Sequence, residues 1–148
     1  MLTHACRALS AALFLFVASA ANAQEALPYK EGAVIVVTSV RTQPGKFDDY
    51  YRYLIGPYSQ MMDEAKKMGL VTSYRFLMAF PRTEQDPDLY LVETYPSMAV
   101  FDGMTDKMST VSQKIFGSLK QANEADANRG EFRKILGTEM MRELTPRK

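Results

Sequence analysis

The sequence predicts an α+β domain of order β-α-β-β-α-β: a four-stranded antiparallel sheet with helices on one face. Three observations predict it. Residues 33–40 are an unbroken run rich in β-branched side chains. Residues 70–80 and 88–95 alternate on either side of a short polar loop, and two longer stretches between strands carry helical periodicity.

Ala33-Val34-Ile35-Val36-Val37-Thr38-Ser39-Val40 is read as the first strand, preceded by a short polar leader at 24–32. Its apolar character on both sides is that of a strand covered on both faces. Thr42-Gln43-Pro44-Gly45 places proline and glycine as a type II turn requires. Phe47, Tyr51, Leu54, Tyr58, Met61, Ala65 and Met68 then recur at steps of four and three, one face of a helix. Asp48 and Asp49 suit its positive end, Lys66 and Lys67 its negative end, and Gly69 its C-cap. Gly56-Pro57 interrupts the pattern, so a kink or break is expected there.

In the second strand, Tyr74, Phe76, Met78 and Phe80 point one way, and Ser73, Arg75, Leu77 and Ala79 the other. The polar loop 81–87 joins it to the third strand, 88–95, as an antiparallel hairpin. Pro96-Ser97 opens helical material that runs to about residue 128, broken near Gly103, with Ser97 as N-cap and Val111, Ile115, Phe116 and Leu119 as its apolar stripe. Residues 135–144 form the last strand, with Met140 and Met141 read as strand core. This order is the split βαβ arrangement of ferredoxin-like domains. Leu77, Ala79, Leu89 and Leu91 are assigned to the sheet face away from the aromatic row, an apolar surface that calls for a partner. A symmetric homodimer is the commonest solution.

Residues 1–23 read as a secretory signal peptide. Arg7 gives a positive start, an apolar run follows from Ala8 to Ala18, and Ala21-Asn22-Ala23 closes it as a cleavage site. The run is too short for a comfortable membrane span, which needs about 20 residues. The expected product is residues 24–148, a single domain, periplasmic or secreted, with no membrane anchor after cleavage. Cleavage removes the single histidine, His4, and the single cysteine, Cys6, so disulfides are excluded in the mature domain. The chain carries 18 Lys plus Arg against 17 Asp plus Glu, and loss of Arg7 leaves the two counts equal. Such a balance, without a basic run, gives no reason to expect nucleic acid as a partner.

Strand, Pro44-Gly45-Lys46, tyrosine-rich helix, Gly69, strand–loop–strand and then Tyr95-Pro96-Ser97-Met98-Ala99-Val100-Phe101 make the chain resemble the dimeric α/β barrel superfamily. The resemblance covers essentially all of 24–148 and is one of architecture, not of a catalytic motif. It implies two ferredoxin-like subunits packed sheet against sheet. The group includes small monooxygenases without cofactors, polyketide cyclases, haem-degrading and haem-using enzymes, and stress-response barrels. Several of these enzymes use a histidine as base or haem ligand; residues 24–148 contain none, which argues against those branches.

The residues that remain for chemistry are carboxylates, tyrosines, lysines and arginines. There is no Ser-His-Asp or Cys-His set, no zinc ligand cluster and no phosphate-binding glycine loop. Asp86-Pro87-Asp88 lacks the spaced ligands of a calcium loop and reads as a solvated turn. Counting across the hairpin places Arg75 opposite Glu93, the best candidates for a catalytic pair; the competing reading is a structural ion pair in the dimer interior. Tyr50, Tyr58, Tyr74, Arg75, Glu93 and Tyr95 are the candidate ligand-binding residues, although core packing is the stronger reading for Tyr51 and Tyr58. The expected function is to hold a small apolar or aromatic molecule, with any reaction run without metal or cofactor. The alternatives are a non-catalytic structural or interaction module and, less favoured, a haem-binding protein with a tyrosine ligand.

Overall fold

A computed structural model describes residues 26–147. The signal-peptide reading of 1–23 lies outside the described residues. The architecture is α+β: four strands form one open antiparallel sheet in the order β2-β3-β1-β4, with β1 spanning Tyr29–Thr42, β2 Ser73–Met78, β3 Leu89–Tyr95 and β4 Arg133–Pro146. Three helical segments separate the strands: α1 (Phe47–Tyr53) running through a π turn (Leu54–Tyr58) into α2 (Ser59–Lys67), then α3 (Met104–Phe116) and α4 (Leu119–Arg129).

β1 is longer than its β-branched run. Tyr29, Lys30 and Glu31, read as leader from sequence, pair with Pro146, Thr145 and Leu144 at the far end of β4, and Glu31 holds Arg142 at 2.8 Å. Polar residues extend the strand there because a long partner satisfies their backbone, not because they are buried. After β1, Lys46 N–H donates to the Gln43 carbonyl at 2.9 Å across Pro44-Gly45, with Gly45 at φ +74°, as a type II turn demands.

The expected break in the first helix is present. Gly56 leaves helical geometry (φ −101°, ψ −109°), Pro57 supplies no N–H, and Leu54 O accepts both the backbone N–H and, at 2.7 Å, the hydroxyl of Ser59. The inward face is offset from the one read in sequence. Tyr50, Leu54, Met62 and Ala65 are buried, whereas Tyr51 and Met68 are exposed. α2 ends as a Schellman motif: Leu70 N–H reaches Ala65 O, Gly69 N–H reaches Lys66 O, and Gly69 takes φ +72°.

The hairpin register differs from the expectation by one residue. Tyr74, not Arg75, stands opposite Glu93, and Arg75 faces Val92 on the other side of the sheet. The loop sets this. Asp86 accepts the backbone N–H groups of Arg82 and Thr83, the carboxylate of Asp88 accepts the backbone N–H of Thr42 at 3.0 Å, and the Asp88 N–H reaches the Val40 carbonyl. These bonds pin the hairpin's base off the symmetric midpoint. The same slip moves Leu89 and Leu91 to the helix side, where they pair with Met78 and Phe76 and join Val40, Tyr50 and Leu54 in the main core.

The second helical stretch has two breaks rather than one. Met98–Phe101 is a single 3₁₀ turn, Gly103 (φ +66°) precedes α3, and Gly117 (φ +83°) separates α3 from α4. Ser97 makes no side-chain cap; Ser118 does, accepting from Gln121 N–H at 3.2 Å. α3 closes a second core of Met62, Ala65, Leu70 and Val71 with Met104 and Met108, and Val111 is buried nearby. β4 is a strand as expected, but Met140 and Met141 are 53% and 44% exposed, not core. They sit on an edge strand that the helices do not cover.

Candidate functional site

The site lies between α1, the π turn and the helix-facing side of the sheet. β3 presents Glu93 on that side, directly opposite Tyr74 across the hairpin. The π turn carries Tyr58 to it: the Tyr58 hydroxyl donates to Oε1 of Glu93, and the Tyr95 hydroxyl donates to Oε2. Burial, then the negative charge of Glu93, pushes the Tyr58 phenol far above its ordinary range, and Tyr95 is raised for the same reasons. Both phenols therefore stay protonated and act as standing donors to the carboxylate.

A second polar group sits where α1 meets the end of α4 and the start of β4. The Arg133 Nε–H donates to the Tyr50 hydroxyl at 3.2 Å, and Arg129 donates to the Tyr53 hydroxyl at 2.6 Å. Each guanidinium also lies over the ring it serves, Arg129 at 4.6 Å from the Tyr53 centroid and Arg133 at 5.6 Å from that of Tyr50. Asp126 on α4 pairs with Arg129 and lies 3.8 Å from Arg133. Burial raises the Tyr50 and Tyr53 phenols, and the arginines pull against it.

Both groups line one cavity of about 260 Å³, together with Thr38, Leu91 and Ile135. A cavity of about 380 Å³ between α2, α3 and α4 adjoins it, with Tyr53, Met61, Asp126 and Arg129 common to both walls. The site thus has a carboxylate end held by two phenols and a guanidinium end backed by two more. It can accept a proton or a donor at Glu93 and hold a negative oxygen at the arginines.

Of the residues singled out from sequence, Tyr50, Tyr58 and Glu93 line the cavity. Tyr95 reaches it only through Glu93. Tyr74 turns outward to Asp63, at 2.9 Å, and Arg75 is exposed on the opposite face. The Arg75–Glu93 pair therefore does not exist in this fold. Sequence reasoning noted Tyr53 only as one tyrosine of the first helix and missed Asp126, Arg129 and Arg133. Their one trace was the Asp-x-x-Arg-x-x-x-Arg spacing across a helix end, which carries no meaning until β4 is placed beside α1.

Fold and cavity together define a class: an α+β domain with an open four-stranded antiparallel sheet and a polar-ended cavity under its helices. No protein-family model matches the chain, and no curated protein matches it in sequence. Among solved structures it is similar to HapK from Hahella chejuensis, at 7% identity and a TM-score of 0.53 over 74% of this chain and 91% of HapK. It also aligns with the protein SO0527 from Shewanella oneidensis, at 14% identity and a TM-score of 0.48 over 79% of this chain and 98% of that one. At 7% identity the likeness to HapK speaks for the fold alone.

Proposed function

We propose that this chain is an exported, periplasmic or secreted homodimer of ferredoxin-like subunits, packed sheet to sheet as a dimeric α/β barrel, that binds a small apolar or aromatic molecule. The observation that carries the binding function is the cavity of about 260 Å³ onto which Glu93 with Tyr58, and Arg133 with Tyr50, converge. Where that molecule is turned over, Glu93 is the base and the arginines hold the negative oxygen that forms; no cofactor is required for such a proton transfer.

The strand order supports the ferredoxin-like assignment, since β1 and β3 are central and β2 and β4 are edges. The face away from the helices supports the dimer. It exposes Leu77, Leu136 and Met141 beside half-buried Ile35 and Val37. One row across it reads Arg75, Val92, Val37, Glu139 from edge to edge. A second copy related by a twofold axis along the strands would set Arg75 against Glu139 at both ends and the valines against each other, a self-complementary match. Export rests on the leader pattern of residues 1–23.

A non-catalytic structural module is the second reading. It is favoured by the closure of Glu93 upon Tyr58 and Tyr95, which leaves each carboxylate oxygen already served. Native mass spectrometry of the exported protein tests both. A dimer carrying additional mass is the expected result; a bare monomer would remove the barrel and the ligand together. Glu93→Gln then separates the roles, because loss of ligand or turnover in an intact dimer supports the binding site, and loss of the dimer with no ligand effect supports the structural module.

A further inference from the structure

Resting on the reading of the cavity as a ligand site, we propose that its ligand is an aromatic carboxylic acid whose carboxylate seats between Arg129 and Arg133, in the place Asp126 now occupies. The two arginines come from different elements, the end of α4 and the start of β4, yet both direct an Nη2 toward the same Asp126 oxygen. They are 17% and 13% exposed, whereas Asp126 is 62% exposed. Two largely buried cations thus share one carboxylate that reaches them from the solvent side. Such an arrangement binds a carboxylate already, and the side chain holding it is one that solvent can readily take back.

The charges around this end point the same way. Arg129 and Arg133 face one local anion, Asp126, while Glu93 is engaged by its own two phenols. The Tyr50 and Tyr53 hydroxyls accept from the arginines, and among the described residues neither hydroxyl proton has an acceptor. A carboxylate entering here meets guanidinium and phenol donors together. The rings favour a flat apolar body: Tyr50 and Tyr53 are stacked at 6.1 Å and 15°, with Leu91 and Ile135 on the sheet side. A volume of about 260 Å³ lies just below the roughly 300–1,000 Å³ of drug-sized sites, so it suits a small aromatic acid. Glu93 at the far end adds a place for a hydroxyl on the ring.

Calorimetric titration of the purified protein with 4-hydroxybenzoate and its neutral isostere 4-hydroxybenzamide tests this. The acid is expected to bind about tenfold tighter than the amide, the size of one charge-assisted pair. Asp126→Asn, which removes the resident anion, is expected to tighten the acid several-fold and to change the amide by less. Arg129→Gln is expected to erase the acid's advantage while the amide still binds, which also shows that the variant is folded. Equal binding of acid and amide, or acid binding weakened by Asp126→Asn, would overturn the carboxylate assignment and leave the cavity reading standing. Binding of neither probe would overturn both.

Discussion

The hydroxyl of Tyr58 donates to Oε1 of Glu93, joining the one irregular turn of the first helix to a central strand of the sheet. Removing that donor leaves a half-buried carboxylate with a single phenol. Tyr58→Phe is expected to cost about 1–3 kcal/mol in a urea melt, the penalty of depriving a buried charged group of a partner. An unchanged midpoint would mean that water replaces the hydroxyl without loss.

The same phenol predicts behaviour in base. Burial, and then Glu93, raises the Tyr58 pKa above its ordinary 10.0, so the folded state keeps a proton that the unfolded chain gives up. The stability this provides is complete below pH 10 and is lost as pH rises beyond it, at up to about 1.4 kcal/mol per pH unit. Tyr95 acts in the same direction but less, since solvent screens it more. Denaturation midpoints from pH 8 to 11.5 should stay level to about pH 10 and then fall. The fall should be shallower in Tyr58→Phe, and an equal slope in both proteins would contradict the assignment.

The row Arg75–Val92–Val37–Glu139 predicts how the proposed dimer responds to charge. Glu139→Arg should place arginine against Arg75 of a second copy and weaken the dimer at least tenfold, read by analytical ultracentrifugation. Adding Arg75→Glu should restore it. A double variant no better than the single one would mean that the copies meet in another orientation.

At Gly69, φ is +72° and the Schellman bonds of α2 depend on it. Gly69→Ala should cost about 1 kcal/mol through left-handed strain alone, because nothing crowds the position an added Cβ would take. Thermal denaturation checks this, and a neutral outcome would show the cap relaxing.

Glu64 joins α2 to α3. Hydrogen bonds from Lys114 and then Lys67 draw its carboxyl down to about 2. Its contribution is complete above the ordinary value of 4.5 and is lost progressively as pH falls from there to about 2. Side-chain carbon NMR should show Glu64 titrating below the other glutamates. Lys114→Gln should move that midpoint upward, and a midpoint already at 4–5 would mean that the pair is open in solution.

The order of elements could be read from sequence because each signal was local. Pro44-Gly45, Gly56-Pro57 and Gly69 all mark the backbone events found at those positions. Register could not be read, and the reason lies in β3 itself. Leu89 and Leu91 face the helices while Tyr90 and Val92 face away, so both sides of the strand are apolar and alternation does not distinguish them. What decides is the hydrogen bonding of Asp86 and Asp88 in the loop, a tertiary matter. The guanidinium half of the site was hidden for a related reason. Arg129 and Arg133 end one element and begin another, where no periodicity applies, and only the approach of Tyr50 and Tyr53 gives them a role.

The π turn carries one more consequence. A bond from Ser59 N–H back to Leu54 spans one residue more than an α-helical turn, so this helix holds a one-residue surplus. Deleting Ile55, which points to solvent, would shorten that span to an α-helical one, although Gly56 and Pro57 would still resist regular winding. The wide turn absorbs the extra residue, so the residues after it would keep their angular phase, while Tyr58, which lies inside the turn, would be carried away from Glu93. The surplus residue therefore works as an alignment shim: shortening the chain there would trade the aim of the tyrosine for a shorter turn.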